Sequence, residues 1–262
     1  MSKTVLVTGA SSGIGKETIN YFSDKGYEVI GLSRKEPDQT NFKYYECDLS
    51  NMDSIKTTIT LIMTDYIKID ILVNSAGVGT GGAIEDIDID ELKWVYDVNL
   101  FGLIELTRGL LPLLRRSDNP KIVNVGSVAG EITIPYQTSY SMSKKSVQSF
   151  TEGLRIELKS QNIDVCTVLP GDTKTGFTSN RKTIIKDDSL YKNDVNKSIK
   201  KMEKDEQNGV HPIKVAKIIY KMTNKKRMPV SKIVGLDYKI LVFLSKILPK
   251  KLVEYIVVKM YG

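Results

Sequence analysis

The stretch KTVLVTGASSGIG, residues 3–15, determines the fold expected for this chain. Its first six residues form an apolar, β-branched run typical of a buried strand. Glycines at positions 9, 13 and 15 follow, and apolar residues then recur with helical spacing to about residue 25. Glycine tolerates the positive φ and close backbone approach that a tight strand-to-helix turn requires. The stretch therefore predicts a buried strand, a glycine turn and a helix.

The chain then repeats this alternation of strand and helix. Helical segments at 51–65, at 91–115 and around residue 140 separate five further apolar runs, which predict strands at 27–33, 42–49, 69–77, 121–127 and 163–171. Strands that alternate with helices pair in parallel through right-handed crossovers, with helices covering both faces. We expect an α/β chain with a single-domain, doubly wound Rossmann fold over residues 1–262, and ligands beyond the carboxyl ends of its strands.

Two segments depart from this alternation. Residues 172–210 are rich in Lys, Asn, Asp and Ser and predict a mobile flap over the substrate pocket. Residues 236–261 are largely apolar, but five lysines interrupt them and exclude a membrane span. They predict C-terminal amphipathic helices with three open roles: closing the substrate pocket, packing in a homo-oligomer, or lying on an anionic membrane surface.

The composition argues against several kinds of site. His211 is the only histidine, which argues against histidine-based catalysis or metal binding. Cys47 and Cys166 are too few for a disulfide framework or a zinc site, and we expect both to be buried in strands. The N-terminal stretch lacks the apolar core of an export signal, so a cytoplasmic location is expected.

The net charge of +7 is unevenly distributed along the chain. Residues 1–173 contain 17 Lys and Arg against 23 Asp and Glu, whereas residues 174–262 contain 21 against 8. A basic C-terminal third suits an anionic substrate or surface, and it is equally compatible with a solvated lysine-rich face. Aromatic residues do not interleave with the basic clusters in an RNA-binding pattern, so no nucleic-acid partner is expected.

A second stretch, SYSMSKKS at 139–146, places Tyr140 and Lys144 four residues apart. On a helix this spacing puts both side chains on one face. An ordinary surface helix carries such a pair as well, so its meaning depends on the other motifs.

Together these motifs resemble the short-chain dehydrogenase/reductase family over about residues 3–175. The family's T-G-x-x-x-G-x-G loop matches TGASSGIG at 8–15, and its N-N-A-G stretch matches NSAG at 74–77, where Ser75 departs from the commonest version. The resemblance implies a catalytic set, which maps onto Asn99, Ser127, Tyr140 and Lys144. The cofactor-binding residues expected are Gly9, Ser11, Ser12, Gly13, Ile14, Gly15, Ser33, Arg34, Asp48, Leu49, Asn74, Ala76, Gly77, Tyr140, Lys144, Pro170, Gly171, Thr173 and Thr175.

The family chemistry gives the tyrosine–lysine pair a role. Hydride transfer from a nicotinamide to a carbonyl leaves negative charge on oxygen, which must receive a proton. We expect Tyr140 to supply it, with the Lys144 ammonium lowering the Tyr140 pKa and hydrogen-bonding the nicotinamide ribose. Ser127 would hold the substrate oxygen, and Asn99 would support a water path from Lys144 to solvent. No metal is needed.

The end of the second strand selects the cofactor. An acidic residue there would bind the ribose 2′-hydroxyl of NAD, but this chain has Ser33 and Arg34. A guanidinium pairs with a 2′-phosphate and no carboxylate repels it, so NADP(H) is expected.

We therefore expect an NADP(H)-dependent carbonyl reductase or alcohol dehydrogenase acting on a small-molecule substrate. The segments that flank the motifs predict an apolar pocket wall of Ile132, Ile134, Tyr136 and Phe177. The family resemblance implies a homodimer or homotetramer. The alternative is a non-catalytic NADP(H)-binding sensor or scaffold, and peripheral membrane contact is compatible with either function.

Overall fold

The computed structural model describes residues 2–37 and 42–261, so the ends of the expected domain, 1–262, lie outside the described residues. These described residues contain nine strands: β1 (Thr4–Thr8), β2 (Glu28–Ser33), β3 (Lys43–Glu46), β4 (Ile71–Asn74), β5 (Thr80–Gly81), β6 (Lys121–Val125), β7 (Asp164–Leu169), β8 (Lys182–Thr183) and β9 (Ser231–Ile233). Seven of these form one sheet in the order β3-β2-β1-β4-β6-β7-β9, and all its neighbours pair in parallel. The predicted doubly wound Rossmann fold is confirmed.

Helices cover both faces of this sheet. The helices of the described residues are α1 (Gly13–Asp24), α2 (Met52–Asp65), α3 (Ile89–Tyr96), α4 (Gly102–Leu114), α5 (Thr138–Glu157), α6 (Phe177–Asn180), α7 (Lys192–Gln207), α8 (Pro212–Thr223), α9 (Leu236–Ile247) and α10 (Lys250–Tyr261). Of these, α1 and α8 pack on one face of the sheet and α2, α4 and α5 on the other. In β1, Leu6 points to a core shared with α2, α4 and the end of α5, while Val5 and Val7 point to a core shared with α1 and α8. This alternation explains why the strand is apolar throughout.

The sheet reverses its winding direction between β1 and β4, where the two loops that follow these strands meet. Thr8 joins them, because its Oγ1 accepts hydrogen bonds from the N–H groups of Ser75 and Ala76 at 3.0 Å each. Such a switch point leaves a crevice beyond the carboxyl ends of the strands, where ligands bind in this type of sheet.

Three local features differ from the sequence prediction. Residues 172–210, called the cap below, contain the unpredicted elements α6, β8 and α7, and Val195, Ile199 and Met202 of α7 form a small core with Ala83. The helix predicted over 91–115 is interrupted by a π-helical turn at Asp97–Phe101. Strand β9 was missed because only three residues of it pair with β7.

The C-terminal segment forms the two predicted helices, α9 and α10. Neither of them, nor any other helix in the described residues, combines the length and apolar character needed to cross a bilayer. His211 caps α8, with its Nδ1 accepting from Ile213 N–H at 3.3 Å. Cys47 and Cys166 are free and buried; Cys166 lies in β7, whereas Cys47 follows the last residue of β3.

Candidate active site

The glycine turn between β1 and α1 presents backbone N–H groups at the switch point. Gly9 and Gly13 adopt φ values of +72° and +54°, and a Cβ on Gly15 would lie 2.2 Å from the carbonyl oxygen of Gly9. Ser12 precedes the helix without capping it, and the first turn of α1 contains no acidic residue. The first N–H groups of the helix therefore remain available to an anion such as a pyrophosphate.

A cavity of about 990 Å³ extends from this turn to the C-terminal helices. All the predicted site residues line it except Asn74 and Asn99; the lining set is Gly9, Ser11, Ser12, Gly13, Ile14, Gly15, Ser33, Arg34, Asp48, Leu49, Ala76, Gly77, Ser127, Tyr140, Lys144, Pro170, Gly171, Thr173 and Thr175. The strand ends thus bring together motifs that are far apart in the sequence.

Helix α5 places Tyr140 and Lys144 one turn apart on the cavity side. The Lys144 Nζ lies 5.8 Å from the centroid of the Tyr140 ring and donates a hydrogen bond to the Val125 carbonyl at 3.1 Å. Ser127, two residues past β6, reaches the same cavity, and its Oγ accepts from Ala129 N–H at 3.1 Å. Three of the four predicted catalytic side chains therefore share one space.

The fourth, Asn99, lies behind the cavity wall within the π-helical turn. Its Oδ1 accepts from Val78 N–H at 2.8 Å, and its Nδ2 donates to the Val78 carbonyl and to Ser143 Oγ, both at 2.9 Å. These bonds fasten the loop after β4 to α5. An inserted π turn of this kind is frequent at functional sites, and here it directs the amide toward that loop.

Asn74 also stays out of the cavity. Its Nδ2 donates to Thr107 Oγ1 at 3.0 Å and to Asn124 Oδ1 at 2.8 Å, within a buried polar network below the strand ends. The Asn74 side chain therefore braces the sheet end, and its part in cofactor binding stays a prediction. Asn74 has this position because the last residue of a buried strand points into the layer of helices rather than across the crevice.

The protonation of the pair differs from the sequence expectation. Burial raises the pKa of Tyr140 to about 12, and the smaller opposing effects come from a hydrogen bond with Ser127 and from the charge of Arg181. Burial also lowers the pKa of Lys144 to about 8. Burial dominates both pKa values, and no lowering of the Tyr140 pKa by Lys144 accompanies it. At neutral pH Tyr140 is a phenol with a proton to donate.

The substrate side of the cavity carries two carboxyl groups that the sequence did not reveal. Asp172 Oδ2 accepts from the Tyr238 hydroxyl at 2.5 Å, whereas Glu206 pairs with Arg181 and accepts from Thr178 Oγ1 at 2.5 Å. Burial raises the pKa of both carboxyl groups. They come from the loop after β7 and from α7, so only the folded cap brings them near Tyr140.

Helices α9 and α10 close the cavity with an apolar wall. Its members are Leu241, Leu244, Leu248, Val253, Ile256, Val257 and Met260. Gly171 permits this closure, because a Cβ there would lie 2.2 Å from the ring of Tyr238 in α9. Of the three roles left open for these helices, closing the pocket is the one that the cavity demonstrates.

The predicted apolar wall near α5 is only partly present. Ile132, Ile134 and Phe177 line the cavity, and the Phe177 ring lies 5.3 Å from that of Tyr140. Tyr136 packs instead against the small core under the cap.

Charged side chains line the cavity at its other end, beyond β2 and β3. Arg34 and Lys35 follow β2, are exposed, and line the cavity together with Asp48, whose Oδ1 accepts from the N–H and hydroxyl of Ser50 at 2.9 and 2.8 Å.

Comparison with known proteins identifies the family: the family model described as short chain dehydrogenase matches residues 3–185.

The chain belongs to the short chain dehydrogenase family. A 3-ketodihydrosphingosine reductase of Bacteroides thetaiotaomicron is 36% identical over 255 residues, which are 96% of this chain and 95% of that protein. Among solved structures, a short chain dehydrogenase/reductase of Burkholderia phymatum in complex with NAD has a TM-score of 0.82 at 21% identity, covering 94% of this chain and 93% of the other. A serine dehydrogenase complexed with NADP⁺ has a TM-score of 0.74 at 25% identity, covering 88% and 93%.

Family membership makes this short chain dehydrogenase an oxidoreductase that acts on small molecules. Its seven-stranded sheet is the nucleotide-binding Rossmann fold of its relatives, among which both NAD and NADP⁺ occur as cofactors.

Proposed function

We propose that this short chain dehydrogenase is an NADP(H)-dependent reductase of a ketone carried on a long apolar chain, working in the cytoplasm. The observation that carries the proposal is a single cavity in which Ser127, Tyr140 and Lys144 lie between the glycine turn and the apolar wall of α9 and α10. A cofactor bound along the turn and a substrate tail bound along the wall would meet at the Tyr140 hydroxyl.

The roles of the residues follow from the chemistry of carbonyl reduction. A bound nicotinamide would supply hydride to the carbonyl carbon, and negative charge would develop on the oxygen. Tyr140 would donate its proton to that oxygen, while the Ser127 hydroxyl would hold the oxygen in place. Lys144 would bind the hydroxyls of the nicotinamide ribose. The reverse reaction, oxidation of a secondary alcohol, uses the same groups.

Arg34 and Lys35 support NADP(H) over NAD(H). Both line the cavity at the end of β2, where a 2′-phosphate on the adenosine ribose would lie in this type of fold. In its described residues the loop after β2 lines the cavity with two cations and no carboxylate, which favours a doubly charged phosphate.

The carboxyl groups narrow the substrate class. One relative is named 3-ketodihydrosphingosine reductase, and the compound in that name is a long-chain 2-amino ketone. In this chain Asp172 lines the cavity, has no ion pair within the described residues, and raises the pKa of Tyr140 through its charge. An ammonium group beside the reacting ketone would meet this carboxyl group and restore its charge balance. We therefore propose a long-chain amino ketone as the substrate.

Replacement of Tyr140 by Phe tests the catalytic proposal. The variant keeps the ring that packs on Phe177, so it should bind NADPH as the parent does while reduction of a long-chain ketone, followed by NADPH absorbance, falls about a hundredfold or more. Tyr136→Phe is the matched control, because that residue lies outside the cavity, and it should keep full activity. If the parent bound NADPH but reduced no ketone, the sensor or scaffold alternative would be favoured.

Asp172→Asn tests the substrate class separately. The apparent KM for an amino ketone should rise at least about tenfold, whereas the KM for the same ketone without the amino group should change little. Equal effects on both substrates would remove the amine from the proposal and leave the reductase.

A further inference from the structure

Helix α9 carries large apolar side chains on two sides. Leu241 in the helix and Leu248 directly after it line the cavity, whereas Leu236, Ile240, Phe243 and Ile247 recur at helical spacing along another side, where they are 72%, 51%, 62% and 60% exposed. Each apolar side of an amphipathic helix is stable only against apolar surroundings. The cavity covers one face, and no described part of the chain covers the other.

Helix α10 follows α9 directly in the chain and carries further exposed apolar side chains. Leu252, Tyr255 and Val258 are large, apolar and exposed. We call these three residues, together with the four exposed residues of α9, the outer face. Exposed apolar residues elsewhere in the described chain, such as Ile67 and Leu190, are dispersed over other elements. A concentrated patch of this kind marks an interaction site rather than ordinary surface.

Charge identifies the kind of partner. Residues 236–261 contain five lysines against Asp237 and Glu254, and Lys239, Lys250, Lys251 and Lys259 are all exposed. In a twofold contact between two copies of this chain, the same patch meets itself, so these lysines would face one another. An anionic lipid surface accepts both the apolar side chains and the surrounding ammonium groups.

The cavity reaches this same surface. Leu244, Ile256 and Met260 line the cavity and are also exposed, at 39%, 36% and 41%. A molecule leaving a lipid layer below α9 and α10 would therefore pass along the apolar wall directly to Tyr140.

We infer that the outer face docks on an anionic membrane surface, with α9 lying in the interface. This inference depends on the surface and not on the proposed reaction, because docking needs neither cofactor nor substrate. Phe243 and Ile247 would enter the acyl boundary, and the lysines would meet the lipid phosphates.

Co-sedimentation of the full chain with lipid vesicles tests the inference. The chain should bind mixed phosphatidylcholine–phosphatidylglycerol vesicles at least about tenfold more tightly than pure phosphatidylcholine vesicles, and added salt should weaken this binding. The double variant Phe243→Ser/Ile247→Ser should lose binding at least about tenfold. Leu190→Ser removes an exposed leucine of the cap and should bind as the parent does.

Light scattering on the same samples without lipid separates docking from self-association. The inference requires that the double variant keeps the parent's molecular mass and its free energy of unfolding. A parent that ignores anionic vesicles, or a double variant that only dissociates an oligomer, would overturn it and assign the outer face to a second copy of the chain.

Discussion

At the scale of single residues, Lys144 is the group whose state matters most. It is 4% exposed, its Nζ has the Val125 carbonyl as hydrogen-bond acceptor, and burial lowers its pKa to about 8. An unfolded lysine keeps its proton up to about pH 10.4. Keeping this ammonium in the cavity at neutral pH therefore lowers the free energy of unfolding, and the proposed function requires that cost.

Lys144→Met should stabilise the protein without nucleotide while removing activity. Between pH 8 and the ordinary lysine pKa the unfolded chain binds more protons than the folded one, so the stability of the parent rises with pH across this window. The variant should therefore be more stable than the parent by up to about 3 kcal/mol at pH 7, and the difference should shrink toward pH 10. Urea unfolding at several pH values measures this.

The neighbouring lysine provides the control for that experiment. Lys145 is mostly exposed and lies 3.7 Å from Glu131, so Lys145→Met should change stability little at any pH. If Lys144→Met destabilised the protein at pH 7, the buried amine would be stabilising and its lowered pKa would be wrong.

Arg34 and Lys35 determine the cofactor prediction. Arg34→Ala should weaken NADPH binding at least about tenfold because a charge-assisted contact to the 2′-phosphate is lost, and the Kd for NADH should stay nearly constant. Lys35→Ala should add a smaller effect in the same direction. Lys16→Ala removes an exposed lysine of α1 outside the cavity and serves as control. Fluorescence titration measures the binding. Equal losses of affinity for NADPH and NADH would show that Arg34 does not contact the 2′-phosphate.

At the scale of elements, the sequence predicted those parts of the fold that have local signals. The strands that pair on both sides are unbroken apolar runs in the sequence, and the glycines after the first strand indicate a tight strand-to-helix turn. Helix α7 was missed because Val195, Ile199 and Met202 are spread among charged residues, and their partner Ala83 lies far away in the sequence. The site residues show the same dependence on local signals. Those in recognisable motifs at the strand ends were predicted, whereas Asp172 and Glu206 were not.

Gly171 connects the loop after β7 to α9. Gly171→Ala would force the Tyr238 ring away, since the new Cβ would lie 2.2 Å from it, and the hydrogen bonds between Tyr238 and Asp172 would lengthen. We expect a loss of about 1–3 kcal/mol in the free energy of unfolding and a several-fold rise in the KM for a long-chain ketone. Urea unfolding and steady-state kinetics measure the two effects.

Gly153→Ala is the control for Gly171→Ala. No atom lies within 4 Å of a Cβ placed there, and the residue is inside α5, so Gly153→Ala should be neutral or stabilising by up to about 1 kcal/mol. If Gly171→Ala were as mild as Gly153→Ala, α9 would not depend on the contact between Tyr238 and Gly171.

At the scale of the whole molecule, the cavity joins two regions with different origins. The cofactor end is built by loops at the carboxyl ends of the sheet strands, and the substrate end is built by α7, α9 and α10. Loops on a parallel sheet have fixed neighbours once the winding is known, so their residues meet predictably. Amphipathic helices carry no such constraint, and for this reason the sequence left three roles open for α9 and α10.

The length of the apolar wall predicts how the rate depends on the substrate. Each methylene that enters such a wall gains about 0.8 kcal/mol at most, so kcat/KM for a series of ketones should rise up to about fourfold per methylene until the cavity is filled. Leu241→Asn places an amide in the wall and should flatten this rise, while short ketones react at the parent's rate. Leu61→Asn on the exposed side of α2 is the control. A parent whose kcat/KM is independent of chain length, or a Leu241→Asn variant that slows short and long ketones alike, would show that α9 and α10 do not hold the substrate tail.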